Sequence, residues 1–194
     1  MAAKVAYDGP LRLVHSGRLE PMEGAQDLLP VAQGLGSSGV EFTLDIFGTG
    51  SLGPQIGAGV SAFGGRVRLH DPVDFERELV PWMRSKADLF LSCHRQADPS
   101  CTYLESLGCG VPVVGYANEM WAEMAPASAG GWAVPMGDRK ALVDRICAVA
   151  ADRGNLHKAA AAGLLFAQDH DFETEFQTRM AHFAACLPEQ RTVV

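Results

Sequence analysis

Six short runs dominated by apolar residues recur along the chain, each ending at a glycine or polar residue and each followed by a stretch with helical spacing. They are Leu11–Ser16 (LRLVHS), Phe42–Phe47 (FTLDIF), residues 66–70 (RVRLH), 88–93 (DLFLSC), 111–116 (VPVVGY) and Gly131–Val134 (GWAV). Strands apolar along their whole length must be covered on both faces, and strands that alternate with helices must run parallel. The pattern therefore predicts an α/β fold: a doubly wound parallel sheet of about six strands, with ligands taken at the carboxyl ends of the strands. Helices are expected at 24–35, around Pro30; at 52–63, weakened by glycines; and at 75–86, interrupted or bent at Pro81. Further helices are expected from Thr102 to Gly108, at 119–124 and at 139–151, with two more at 155–168 and 172–185.

At 194 residues the chain has the length of one ordinary domain with a sizeable core. Its formal charge of −7, with no basic cluster, argues against a nucleic-acid partner or a polybasic membrane anchor. Five cysteines, odd in number and without a C-x-x-C pair, argue against a disulfide framework and a zinc site, and read as mostly buried, reduced thiols. No uninterrupted apolar run approaches the roughly 18 residues of a membrane span, and the N-terminus has no signal-peptide or lipidation pattern. The expectation is a cytoplasmic chain without a transmembrane segment, able to work beside a membrane.

The stretch from His94 to Tyr116 is the candidate active centre. Asp98-Pro99 reads as a turn and helix start, and Thr102-x-x-Glu105 spells a capping box, in which each side chain would bond the other's backbone N–H. A strand, a tight loop and a helix N-terminus together leave N–H groups and a dipole pointing at one spot, which suits a phosphate. Arg18, in the first strand-to-helix loop, is positioned either to hold a phosphate through two guanidinium N–H groups or to pair with Glu20 or Glu23. Glu105 either accepts two ribose hydroxyls or closes the capping box. Asp98 is read as a turn residue or a ligand to a sugar hydroxyl, and His94 as cleft-lining or surface. Trp82, Trp121, Trp132 and the methionines are read as packing residues. Gly48-Thr49-Gly50-Ser51-Leu52-Gly53 spells G-x-G-x-x-G, with Asp71 following 21 residues after Gly50. That is the spelling of an NAD fingerprint, but it stands in the second strand–helix unit rather than the first, so a glycine turn beside another ligand is the better reading. No Ser-His-Asp order, H-E-x-x-H or metal-ligand cluster is present in the sequence.

In order, GRLEPMEG, DIFGTG, VRLHDPV, ADLFLSCHRQADPSCTYLE, GCGVPVVGY and GGWAVPMGD resemble the C-terminal, donor-binding domain of the retaining GT-B glycosyltransferases, the "group 1" family. The resemblance covers residues 11–185. It implies that residues 1–194 form a single nucleotide-sugar-binding domain, the Rossmann-like half of a GT-B enzyme, with C-terminal helices over 155–187. It also implies that a preceding domain, absent from this chain, would bind an acceptor glycan, lipid or small molecule. The fragment alone would then be inactive. The donor would be a UDP-, GDP- or ADP-sugar, with no separate cofactor and no metal.

By the same resemblance, Arg18 and Gly17 would meet the donor diphosphate, and Gly48 and Gly50 would lie near the nucleotide. The backbone around His70 and Asp71 would hold the base. The amides of Ser100, Cys101 and Thr102 would cradle the diphosphate, and Glu105 would bind the ribose, with Asp98 a further candidate. Retention would proceed by front-face attack, the departing phosphate taking the acceptor's proton, so that catalysis is positioning and electrostatic stabilisation. Two positions depart from the family pattern. Glu23 stands where a second cation on the diphosphate is usual, and Ala97 where a first glutamate is usual, with Asp98 one residue later as its substitute. These departures motivate the alternative of a degenerate, non-catalytic nucleotide-binding or interaction domain; an NAD-binding domain is the third reading.

Overall fold

The computed structural model describes residues 9–96 and 101–186. Six strands alternate with helices: β1 (Leu11–Ser16), α1 (Leu28–Ser37), β2 (Phe42–Phe47), α2 (Gly53–Gly59), β3 (Val67–His70), α3 (Val80–Lys86), β4 (Leu89–Ser92), α4 (Thr102–Gly108), β5 (Val113–Tyr116), α5 (Glu119–Ser128) and β6 (Gly131–Val134). Three helices follow: α6 (Arg139–Ala151), α7 (Arg153–Asp169) and α8 (Phe172–Cys186). All strand pairs are parallel, in the order β3-β2-β1-β4-β5-β6, so the winding reverses between β1 and β4.

Alternate strand residues point to opposite faces, and each face has its own core. Leu11, Leu13, Leu44, Ile46, Leu89, Leu91 and Val114 join one, packed beneath α1 and α6. Val14, Phe90 and Val113 join the other, with Tyr103 of α4 and Trp121 of α5 stacked at 4.8 Å between ring centroids. Trp121 is fully buried, Trp82 and Trp132 pack against the two cores, and Met83 is buried. Met22, Met136 and Met180 are exposed, so the methionines do not all pack. The start of β1 is tied to the start of β4 by Arg12, whose Nε and Nη2 donate to Asp88 at 2.9 and 2.6 Å.

Prolines explain where helices differ from the expected spans. Two 3-10 turns, Pro21–Glu23 and Ala25–Asp27, precede α1, so the helix starts late and Pro30 falls in its first turn, where a missing N–H costs nothing. Pro81 likewise opens α3, and the residues before it, Phe75–Leu79, form a wider π-helical turn that closes Leu79 N–H onto the Asp74 carbonyl at 3.0 Å. The glycine-rich second span is a seven-residue α2 followed by a 3-10 turn, Val60–Phe63. Among the cysteines, Cys93 and Cys109 are buried, Cys147 is half-buried, and Cys101 and Cys186 are exposed, fewer buried thiols than composition suggests. The last helix, α8, buries none of its residues.

Candidate functional site

Where the winding reverses, between β1 and β4, a doubly wound sheet leaves a crevice at its carboxyl edge. A cleft of about 320 Å³ lies there. Gly17 and Arg18 reach it from β1, Gly48 and Thr49 from β2, Pro72 and Val73 from the segment after β3, and Thr102 and Glu105 from α4. Residues far apart in sequence thus form one wall system because parallel strands deliver all their following loops to one edge.

The first two loops are laced together backbone to backbone. Gly17 N–H donates to the Phe47 carbonyl at 3.0 Å, Leu19 N–H to Thr49 at 2.8 Å, and Leu52 N–H to Leu19 at 2.9 Å. This lacing accounts for the first two glycines of the Gly48–Gly53 spelling. A Cβ on Gly48 would fall 1.9 Å from the Gly17 carbonyl oxygen, and one on Gly50 would fall 2.5 Å from that of Leu19. Gly53 has no such neighbour: the nearest atom to its Cβ position is 4.0 Å away, on Leu19. Glu20 braces the same junction, accepting from the Ser51 amide at 2.8 Å and from the Ser51 hydroxyl, and these bonds hold its carboxyl below the usual range.

Arg18 is exposed, and its Nη2 donates to Glu23 Oε1 at 2.6 Å; of the two carboxylates near it in sequence, Glu23 is the partner. Glu23 itself is buried. It is carried under the cleft by the left-handed turn at Gly24 (φ 71°), which crosses β4 so closely that a Cβ there would lie 1.8 Å from the Cys93 carbonyl oxygen. Beneath it sit two buried imidazoles. His94 Nε2 is 3.8 Å from Glu23 Oε2, and the rings of His94 and His15 meet edge to face, 6.1 Å apart. His94 is therefore neither a surface residue nor part of the cleft wall; it lies below it. His15 Nδ1–H donates to the Leu91 carbonyl at 3.0 Å, while its Nε2 has no hydrogen-bond partner among the described residues. Burial first, and then the neighbouring His94, push the His15 pKa down to about 4, against smaller opposing effects of the Leu91 carbonyl and Glu23.

The expected capping box does not form. Cys101 is the N-cap of α4 and makes no side-chain cap bond, and Thr102 is the first helical residue, one position too late to cap. The Glu105 amide instead completes the first helical turn onto the Cys101 carbonyl at 2.8 Å. This releases the Glu105 carboxylate to the cleft, where it accepts no hydrogen bond among the described residues and burial raises its pKa. Asp98 and Ser100 lie outside the described residues.

The cleft thus brings together Gly17, Arg18, Gly48, Thr102 and Glu105 of the residues expected from sequence; Gly50, His70, Asp71 and Cys101 do not line it. His70 is turned toward the sheet, with Nε2 2.7 Å from Asp45 Oδ1 and its ring stacked on Phe47 at 4.3 Å. Burial works to raise the Asp45 pKa, but hydrogen bonds from Arg68 and His70 outweigh it and leave the carboxyl below its ordinary value. A second polar cluster shares the carboxyl edge: Asp27 accepts from Arg95 Nη2 at 2.6 Å and Tyr116 hydroxyl at 3.0 Å. Sequence reasoning missed this cluster and His15. The only signal for His15 was a basic residue near the carboxyl end of an otherwise apolar strand. No group of three or more metal-ligating side chains occurs among the described residues, and no described helix is long and apolar enough to cross a membrane.

A doubly wound parallel sheet with a cleft at its point of reversal is a Rossmann-like domain, and its architecture is that of one half of a GT-B enzyme. Residues 10–152 match the family model described as glycosyl transferases group 1, and the chain belongs to that family. No curated protein sequence matches it. Among solved structures, sucrose-phosphate synthase from Thermosynechococcus elongatus superposes with a TM-score of 0.76 at 21% identity, over 93% of this chain and 47% of that one. HepE of Anabaena, solved in complex with UDP, gives 0.76 at 18% identity, over 92% and 50% of the two chains. The C-terminal domain of a group 1 glycosyl transferase, LpcC of Francisella tularensis, gives 0.69 at 16% identity, over 80% and 83%. The chain therefore spans half or less of the first two relatives, while it corresponds to most of the third, which is a single C-terminal domain.

Proposed function

We propose that this chain is the donor-binding half of a retaining glycosyltransferase that moves a sugar from a nucleoside diphosphate sugar to an acceptor hydroxyl. The observation that carries the reading is the convergence of Arg18 and Glu105 on one cleft at the sheet's point of reversal. Arg18 supplies an exposed guanidinium for the diphosphate, aided by the Thr102 amide at the start of α4, and Glu105 supplies a carboxylate for two ribose hydroxyls. Pro72 and Val73 offer the base a wall of backbone and apolar surface. UDP bound to HepE, which has the same fold, agrees with this choice of ligand class.

In the reaction, the acceptor oxygen attacks the anomeric carbon from the face the diphosphate leaves. The bond from that carbon to the phosphate oxygen breaks, and the departing phosphate takes the hydroxyl proton. In this reading the protein contributes position and charge. The acceptor, a glycan, lipid or small molecule, would be held by a separate N-terminal domain.

One observation favours a second reading, a degenerate, non-catalytic nucleotide-binding or interaction domain with weak or no donor binding: Arg18 is already paired with Glu23. Calorimetric titration with UDP, GDP, ADP and NAD separates the readings. Selective binding of one nucleoside diphosphate, weakened at least tenfold by Arg18→Ala or Glu105→Ala, is the expected result, at about 1.4 kcal/mol per tenfold. Preference for NAD, or no binding by any diphosphate, refutes the donor site.

A further inference from the structure

We infer that the buried Glu23–His94–His15 cluster takes up a proton when a nucleoside diphosphate binds, so that proton uptake below the cleft, rather than a second fixed cation, balances the charge of the ligand. The inference rests on the donor-site reading above.

The argument starts from the unequal burial of one ion pair. Glu23 is buried and Arg18 is exposed, so Arg18 can swing to a phosphate while Glu23 cannot follow it into water. A diphosphate competes with Glu23 for the same guanidinium and adds its own negative charge above the same spot. A buried carboxylate that loses its cation and gains a second negative charge above it is destabilised unless a new positive charge or a proton arrives.

The nearest acceptors of a proton are the two imidazoles. His94 Nε2 lies 3.8 Å from Glu23. The point where a Cβ of Gly17 would sit is 3.6 Å from His94 Nε2 and 3.8 Å from His15 Nε2, so both nitrogens converge on the backbone of a residue that lines the cleft. Because His15 Nδ1 carries the proton donated to Leu91, its Nε2 presents a lone pair, and without ligand burial keeps it empty.

Among the described residues, the other titratable groups facing the cluster do not compensate. Tyr103, whose ring is 5.9 Å from His94, is kept neutral by burial and bonds Ser92 and Asn118. The Cys93 thiol is likewise pushed up by burial, and Asp27 is already taken by Arg95 and Tyr116.

The test is calorimetry of the full chain with UDP, GDP and ADP near pH 7, in two buffers of different ionisation enthalpy, which counts protons exchanged on binding. The wild type is expected to take up about one proton more per nucleotide than Glu23→Gln, and its affinity to fall by up to about tenfold per pH unit as pH rises. Glu105 touches the same ligand and is present in both proteins, so the difference isolates the cluster. His94→Gln, which leaves Glu23 in place, is expected to lower the count as well. A merely structural role for these residues would change affinity without changing proton number. Binding with no difference in proton count overturns the inference alone; no diphosphate binding at any pH overturns the donor site and the inference with it.

Discussion

Replacing Gly48 by alanine tests whether the close approach of the two loops that wall the cleft depends on the absence of a side chain. The added Cβ would fall 1.9 Å from the Gly17 carbonyl oxygen and 3.1 Å from its carbon, at a φ of 155° that L residues rarely adopt. Gly17 cannot simply retreat, because its N–H is bonded to the Phe47 carbonyl at 3.0 Å. Forced repacking of this kind costs about 1–3 kcal/mol, and the backbone conformation about 1–2 kcal/mol more. At roughly 2–4 °C per kcal/mol for a chain of this size, the melting temperature should drop by about 4–20 °C. Gly39→Ala is the control, since Gly39 has a positive φ of 74° but nothing within 4 Å of its Cβ position. Thermal unfolding followed by circular dichroism should show Gly48→Ala well below Gly39→Ala. Equal melting temperatures would refute the claim that loop contact, rather than backbone conformation, fixes this wall.

Glu23→Gln removes the competitor for Arg18, and because Arg18 is exposed the pair is worth no more than about 1 kcal/mol, so nucleoside diphosphate affinity at pH 8 should rise up to about fivefold. Unchanged or weaker binding would contradict that competition. His15 gives the chain an acid-sensitive window. Its folded pKa, about 4, is below the unfolded value near 6.5, so the unfolded chain binds the extra proton between them. Its contribution to stability is complete above pH 6.5 and is lost as pH falls toward 4, by about 3 kcal/mol. Urea denaturation across that range should show the loss, and His15→Asn, which keeps a donor for Leu91, should flatten it. Glu105→Gln should weaken nucleotide binding while stabilising the ligand-free chain slightly at neutral pH, since burial already opposes the charged form; chemical denaturation reads the second effect.

The sheet was legible because its evidence is local and repeated. Each apolar run is covered on both faces, so its composition alone marks a buried parallel strand, and all six strands lie where those runs are. That Arg18 and Glu105 line one cleft was also readable, because they follow strands whose carboxyl ends must share an edge. The capping box failed for a geometric reason: its spelling requires Thr102 to stand before the helix, and the helix begins at Thr102. The role of the G-x-G spelling was ambiguous for a related reason. Glycine answers any close approach, whether by a pyrophosphate or, as here, by the Gly17 and Leu19 carbonyls.

By itself, the amino-acid sequence determined the alternation of strands and helices, the edge to which the strand-to-helix loops are delivered, and the family to which the chain belongs. Tertiary structure alone decided that Glu23 is buried under the site rather than exposed beside it, that it holds Arg18, and that His15 and His94 meet beneath Gly17. The physical reason is range. Burial patterns and helix starts are set by neighbours within a few positions, whereas the ionic state of a buried cluster depends on which strand ends the winding of the sheet brings together.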